Sequence, residues 1–266
     1  IAGRPAARPD DLAAAIETAD RLRARNPDHF GLCFGLGRAG ERAAAAVVWD
    51  RRTPWIERAL DYYEDSVRLA LAGKIAGSDR VPEAMASAWE PGPTLQQRAL
   101  LAASFQAGLL RSAEFRARDP RAGIAHLTRV VTLLRGYHPA WYFLGEAYLL
   151  DHQFDAAERA WTEALRRSPD SPILTSVLRN LPADRVHHLV KQGDWHAVLL
   201  AIECLPEDAL PVSERFTIEG DARLAAGDSV GARRCWLAAL AADRLAVGVR
   251  HRLRRLDHRE VGDHVL

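Results

Sequence analysis

The chain has 266 residues, of which 48% are hydrophobic and 27% charged, and these fractions are typical of a globular protein and unlike those of a disordered or collagen-like chain. Lys and Arg together number 36 and Asp and Glu 35, so the formal net charge of +1 gives no reason to expect a nucleic-acid partner. No stretch approaches 18 consecutive apolar residues, which excludes a transmembrane span within this sequence.

The cysteines and the basic residues indicate the setting in which the chain works. Cys33, Cys204 and Cys235 lie far apart and form no C-x-x-C pair. This pattern predicts reduced thiols in a cytoplasmic protein and disfavours a disulfide framework or a zinc site. Lys74 and Lys191 are the only lysines, and alanine is abundant. A composition rich in arginine and alanine favours helix and is typical of a GC-rich bacterial genome.

In chain order, a helix predicted at 10–24 is followed by a glycine-rich segment. Residues Gly35–Gly40 read G-x-G-x-x-G between an apolar run and a helix-forming run. In a dinucleotide-binding unit such glycines let the backbone approach a pyrophosphate, but the unit also needs a second strand with an acidic residue near its end. No such strand follows. The segment therefore predicts a helix junction or tight hairpin, with a nucleotide- or cofactor-binding enzyme as the alternative.

The rest of the first 137 residues is helical in pattern. Apolar residues recur every three or four positions in segments 54–73, 94–117 and 120–135, which predicts amphipathic helices. Proline- and glycine-rich breaks separate them. We expect 1–137 to form diverged helix hairpins, and a distinct helical domain is the alternative.

The clearest repeat covers residues 138–171 and reads HPAWYFLGEAYLLDHQFDAAERAWTEALRRSPDS. It resembles the tetratricopeptide repeat, a 34-residue helix hairpin. All eight signature positions are filled, by Trp141, Leu144, Gly145, Tyr148, Ala157, Trp161, Ala164 and Pro169.

The spacing of this unit has a physical reason. Two antiparallel helices approach closely only where side chains are small, and the larger apolar side chains fill the space around such points. Asp155 is predicted to cap the second helix, and Ser168–Asp170 to end it. One hairpin cannot bury its own apolar face, so neighbouring hairpins must stack on it.

Two weaker units follow. Segment 213–246 keeps Phe216, Gly220, Ala232, Trp236 and Ala239 at the equivalent positions and is interpreted as a moderate repeat. Segment 179–212 has the same length and a predicted turn at Gly193–Asp194, but larger residues replace the small ones, so we interpret it as a degenerate repeat that packs more loosely.

Residues 247–266 carry five arginines, and Leu253 and Leu256 lie at helical spacing among them. This pattern predicts a basic C-terminal helix that caps the stack with a solvated polar face, and a phosphate- or acid-binding surface is the alternative. The ten histidines show no metal-ligand spacing, and no catalytic motif is present. No metal, cofactor or enzymatic activity is therefore expected.

The resemblance implies an all-α fold, a right-handed α-solenoid of antiparallel helix hairpins whose N-terminal part has diverged. It also implies a non-catalytic scaffold or adaptor that binds a peptide or helix of a partner protein in a concave groove, as a subunit or assembly factor of a larger complex. Self-association through exposed ends of the stack is a further possibility.

Family geometry assigns groove positions to the first helix of each hairpin. The predicted protein-binding residues are Tyr142, Glu146, Leu149, Leu150, His187, Lys191, Thr217 and Asp221. Because this set is apolar and acidic in character, a partner segment with basic and apolar side chains is expected.

Overall fold

The computed structural model describes residues 9–46, 52–77, 94–112 and 119–263. Every regular element within these ranges is an α-helix. The helices are α1 (Pro9–Arg25), α2 (Phe30–Ala46), α3 (Thr53–Leu71), α4 (Leu95–Ser112), α5 (Pro120–Leu133), α6 (His138–Leu150), α7 (Phe154–Arg167), α8 (Pro172–Gln192), α9 (Trp195–Glu203), α10 (Val212–Ala225), α11 (Ser229–Ala242) and α12 (Val247–Asp263).

Two compact units make up the chain, Ile1–Leu174 and Thr175–Leu266. In the first unit each helix from α1 to α6 packs against the next one, and in the second unit each helix from α9 to α11 does the same, as in an α-solenoid. Short turns join most of these pairs, so their helices run antiparallel. The all-α fold predicted from the sequence is confirmed.

The predicted helices of the first unit agree with the structure to within a few residues. The prediction at 10–24 corresponds to α1, that at 54–73 to α3 and that at 120–135 to α5. Proline stands in the first turn of both α3 and α5, where its missing N–H leaves no hydrogen bond unmade. The prediction at 94–117 corresponds to α4, and residues 113–118 lie outside the described part of the chain.

The prediction of a helix junction or tight hairpin at the glycine-rich segment is wrong. Residues Gly35–Gly40 lie inside α2, neither in a loop after a strand nor at a helix junction or hairpin. A Cβ on Gly37 would come within 2.6 Å of the Tyr63 ring, and one on Gly40 within 3.0 Å of Ala59, so both glycines allow α2 to approach α3. A phosphate cradle needs free N–H groups at a helix N-terminus, and this helix interior offers none.

The late hairpin α10–α11 follows the predicted pattern closely. Gly227 has a φ of +85°, a conformation that glycine adopts without strain, and lies in the predicted turn. Asp228 then caps α11, its carboxylate accepting a hydrogen bond from the Gly231 N–H at 2.7 Å. A Cβ on Gly220 would overlap the indole of Trp236, which is 1% exposed.

The middle segment begins earlier than its predicted repeat. Helix α8 starts at Pro172 rather than at residue 179, and α9 has only nine residues. The predicted turn at Gly193 is confirmed by its φ of +74°. Val186 and Val198 are fully buried, and they form the core of the second unit where the repeat pattern would place small residues.

Candidate protein-binding surfaces

The hairpin α6–α7 is fixed by one glycine and one tryptophan. A Cβ on Gly145 would overlap the indole of Trp161, which is 1% exposed. The Trp161 Nε1–H also donates a hydrogen bond to the carbonyl oxygen of Tyr142 at 3.0 Å. This contact holds α6 against α7 at the point where the predicted groove residues begin.

The start of α7 differs from its prediction. The helix begins at Phe154, with Gln153 at the capping position and no capping hydrogen bond from its side chain. Asp155 therefore lies in the first turn and is not the cap. Its negative charge there still interacts favourably with the N-terminal end of the helix dipole.

Four predicted groove residues of the first unit form one strip along α6. Tyr142 and Glu146 lie one turn apart, and Leu149 and Leu150 follow on the next turn. All four side chains are half-buried. The strip is thus mostly apolar. Its helix, α6, packs against both α5 and α7.

Tyr142 keeps its proton at neutral pH. Burial raises the pKa of its phenol, and the nearby Glu146 carboxylate raises the pKa further. Its ring also meets the ring of Phe143 edge-on, with 5.1 Å between the centroids. The side chain therefore offers an apolar face and one O–H donor.

The other four predicted residues belong to the second unit, where most already have partners. His187 Nε2 lies 3.0 Å from the Glu214 carboxylate, which joins α8 to α10. The Thr217 hydroxyl donates to the carbonyl oxygen of Ser213 at 2.6 Å, within its own helix. Lys191 is exposed near the end of α8.

Asp221 is not the open acidic groove residue that the sequence predicted. One of its oxygens accepts hydrogen bonds from Arg252 Nε at 2.6 Å and from Trp236 Nε1 at 3.2 Å, and the other accepts from Arg252 Nη2 at 2.8 Å. Such a two-pronged pair neutralises the carboxylate and ties α10 to α12. The negative charge of Asp221, which supported the prediction of a basic partner, is therefore neutralised by Arg252 within the second unit.

A pocket of about 270 Å³ opens beside this ion pair. Trp195, Leu224 and Leu256 give it apolar walls. Arg252, paired with Asp221, and Arg255 line its polar side, and the charge of Arg255 makes that side positive. The sequence prediction missed this site because it treated α12 as a capping helix with a solvated basic face. Arg255 lies one 34-residue repeat length after Asp221, and continuing the repeat period would have assigned it to the same face.

A larger cavity of about 540 Å³ lies between α1, α2 and α3. Its walls are almost wholly apolar and include Leu22, Leu36 and Trp55. Polar contacts hold α1 beside it: the Asp20 carboxylate accepts from the Tyr62 hydroxyl at 2.8 Å and pairs with an arginine of α3. No sequence pattern predicts this cavity, because its walls come from three separate helices.

The described residues hold neither a clustered set of metal ligands nor a helix suited to crossing a membrane. No group of three or more His, Cys, Asp or Glu side chains in them stands close enough to hold a metal ion. None of the helices in this part of the chain has both the length and the apolar character needed to cross a membrane.

Comparisons with known proteins agree on the repeat. The family profile described as tetratricopeptide repeat matches residues 138–171, the boundaries predicted from the sequence. No curated protein matches the chain.

Two solved structures are similar over most of their length. One is the C-terminal part of a tetratricopeptide repeat-containing protein from Cytophaga hutchinsonii, 16% identical, with 91% of this chain and 94% of that chain covered and a TM-score of 0.37. The other is a tetratricopeptide repeat protein from Parabacteroides merdae, 14% identical, with 93% of both chains covered and a TM-score of 0.30. At these TM-scores neither structure supports a statement about function.

The assignment therefore depends on residues 138–171. These residues fill every signature position and pack as α6 on α7 through Gly145 and Trp161. They also match the family profile from end to end. Residues 138–171 therefore form a tetratricopeptide repeat unit.

Proposed function

We propose that the chain is a non-catalytic scaffold or adaptor that binds a segment of a partner protein, and that the strip Tyr142, Glu146, Leu149 and Leu150 is one of its contact surfaces. Tetratricopeptide repeats in general mediate protein–protein interactions through extended surfaces of stacked helices. A role as a subunit or assembly factor of a larger complex follows from this proposal.

One observation carries the proposal: α6 presents half-buried apolar side chains on a helix that Trp161 holds rigidly. Aromatic and aliphatic anchors of this kind dominate the binding energy of interfaces, and a rigid support lowers the entropy lost on binding. Glu146, one turn from Tyr142, supplies a charge that can fix the register of a bound segment.

The sequence feature that suggested an enzyme no longer supports one. Gly35–Gly40 packs α2 on α3 and does not form a phosphate-binding loop. A cytoplasmic location stays a prediction from the cysteine pattern.

Affinity capture from the lysate of the native host tests the proposal. The bait is the full chain, compared with the double variant Tyr142→Ala/Glu146→Arg. The matched control is Glu158→Arg, which makes the same charge reversal at an exposed position of α7. Circular dichroism establishes that all three proteins keep the same helix content.

We expect a defined protein to be retained by the wild type and by Glu158→Arg and to be lost with the double variant. Equal retention by all three baits would remove the strip from the binding surface. Recovery of only further copies of this chain would point to self-association instead.

A further inference from the structure

We infer that the pocket between α10 and α12 in the second unit binds an acidic segment of a partner protein, with a carboxylate at Arg252 and Arg255 and an aliphatic or aromatic side chain among Trp195, Leu224 and Leu256. The inference rests on the proposed protein-binding function and names the chemistry of the partner. It reverses the basic partner expected from the sequence.

Arg252 is held in place by Asp221. Its Nε and Nη2 both donate to Asp221, which leaves the N–H groups of Nη1 without a described acceptor. Asp221 in turn holds the guanidinium plane in one orientation. Arg252 is therefore a fixed donor, and its own charge is already balanced.

Arg255 is the other cation that lines the pocket. It is exposed, and within the described side chains no carboxylate pairs with it. The Asp221 carboxylate, which also lines the pocket, has its oxygens occupied by Arg252 and Trp236. The charge left for a ligand is accordingly positive, and an anionic group complements it.

The apolar walls of the pocket determine which kind of side chain can bind beside the anionic group. Leu224, Leu256 and the half-buried indole of Trp195 line the pocket beside the two arginines. The Trp195 indole N–H donates to none of the described groups, so it adds a polar donor at an otherwise apolar wall. An apolar side chain next to a carboxylate meets all of these groups at once.

The size of the pocket favours side chains over a free small molecule. Its volume of about 270 Å³ lies below the range of about 300–1,000 Å³ usual for small-molecule sites. It holds one or two side chains of a longer segment. A nucleic acid is disfavoured because the chain has a net charge of only +1.

The test uses short random peptides displayed on phage and selected on the full chain. Parallel selections use Arg255→Glu and a matched control, Arg254→Glu, which makes the same change at the neighbouring exposed position of α12 outside the pocket. One selected peptide is then synthesised with its acidic residues intact and with each replaced by its amide. Binding of both is measured by fluorescence anisotropy, and a single-stranded DNA oligonucleotide is measured alongside.

We expect peptides with Asp or Glu next to an aliphatic or aromatic residue from the wild type and from Arg254→Glu, and their loss from Arg255→Glu. The synthetic peptide should bind Arg255→Glu about tenfold more weakly, and the amide version should lose a similar factor on the wild type. Selection of basic peptides, of peptides indifferent to Arg255, or of none overturns the inference. The inference is also overturned if binding of the oligonucleotide depends on Arg255 and binding of the peptides does not.

The outcome is separable from that of the proposed function. Peptides or proteins that depend on Tyr142 and not on Arg255 would leave the α6 surface intact while removing this pocket. Loss of both dependences would remove the proposed function as well.

Discussion

Two hairpins of the first unit, α2–α3 and α6–α7, are closed by the same kind of contact. In each, a glycine of the first helix receives an aromatic ring from the second: Gly37 faces Tyr63, and Gly145 faces Trp161. The glycine and the ring are 16 residues apart in α6–α7 but 26 apart in α2–α3. The packing contact is shared although the sequence spacing is not.

The two rings differ in chemistry. The Trp161 N–H donates to a backbone carbonyl of α6, whereas the Tyr63 hydroxyl donates to the Glu41 carboxylate of α2 at 2.6 Å. Only the second contact involves a group that can lose a proton. The comparison shows that a packing contact can persist although the spacing between its glycine and its ring has changed, and that α2–α3 makes the contact with a titratable side chain.

The largest expected effect comes from removing either ring. Trp161 is 1% and Tyr63 0% exposed, so Trp161→Ala and Tyr63→Ala each leave a large cavity between two helices. Each should lower the free energy of unfolding by about 3–5 kcal/mol, as measured by urea denaturation followed by circular dichroism. A loss below about 1 kcal/mol for Tyr63→Ala alone would show that the two contacts are not equivalent.

The next effect comes from filling the glycine positions. In both Gly37→Ala and Gly145→Ala the added methyl group meets the facing ring, which is buried and cannot withdraw freely. Each variant should lose about 1–3 kcal/mol of unfolding free energy in the same denaturation experiment. Wild-type stability for Gly37→Ala would contradict the close approach of α2 and α3.

The titratable ring makes α2–α3 sensitive to base. Burial, with help from Glu41, raises the pKa of Tyr63 above its usual value near 10. A raised pKa in the folded state means that its stabilisation is present below about pH 10 and is lost as the pH rises further. Tyr63→Phe should therefore flatten the fall of the urea midpoint above about pH 10, by an effect of about 1 kcal/mol.

A pH profile of Tyr63→Phe that parallels the wild type would contradict this account. Tyr142 serves as the comparison in α6–α7, because its pKa is also raised by burial. Tyr142→Phe should also flatten the fall above about pH 10, but by less than Tyr63→Phe, because Tyr142 is half-buried whereas Tyr63 is fully buried.

The smallest expected effect is an increase in the free energy of unfolding. A Cβ on Gly35 would meet nothing within 4 Å, although Gly35 lies in the same helix as Gly37. Gly35→Ala should therefore raise the free energy of unfolding by up to about 1 kcal/mol through helix propensity. A destabilised Gly35→Ala would show that this glycine has a role besides helix packing.

The sequence predicted α6–α7 well because every signature position is filled. It failed at α2 because glycines at three-residue spacing serve two purposes: they permit a phosphate loop, and they also line one face of a helix. Gly37 and Gly40 line the face of α2 that packs against α3. Only the facing residues Tyr63 and Ala59, which belong to another helix, decide between the two.

The repeat register alone gives the positions of the candidate groove residues, but it does not give the charges around them. Tyr142 and Glu146 follow from the repeat register alone. The state of Asp221 does not, because its partner Arg252 is 31 residues away on another helix. An ion pair of that kind depends on how α10 and α12 pack, and a single sequence shows the carboxylate without its neutralising partner.

We propose that α6, the first helix of the tetratricopeptide repeat, is a protein-binding surface. The most direct test of this proposal is isothermal titration of the captured partner, once purified, against the wild type, Tyr142→Ala/Glu146→Arg and Glu158→Arg. We predict a drop of about tenfold or more in affinity for the double variant and no change for Glu158→Arg. Equal affinities for all three proteins would contradict the claim.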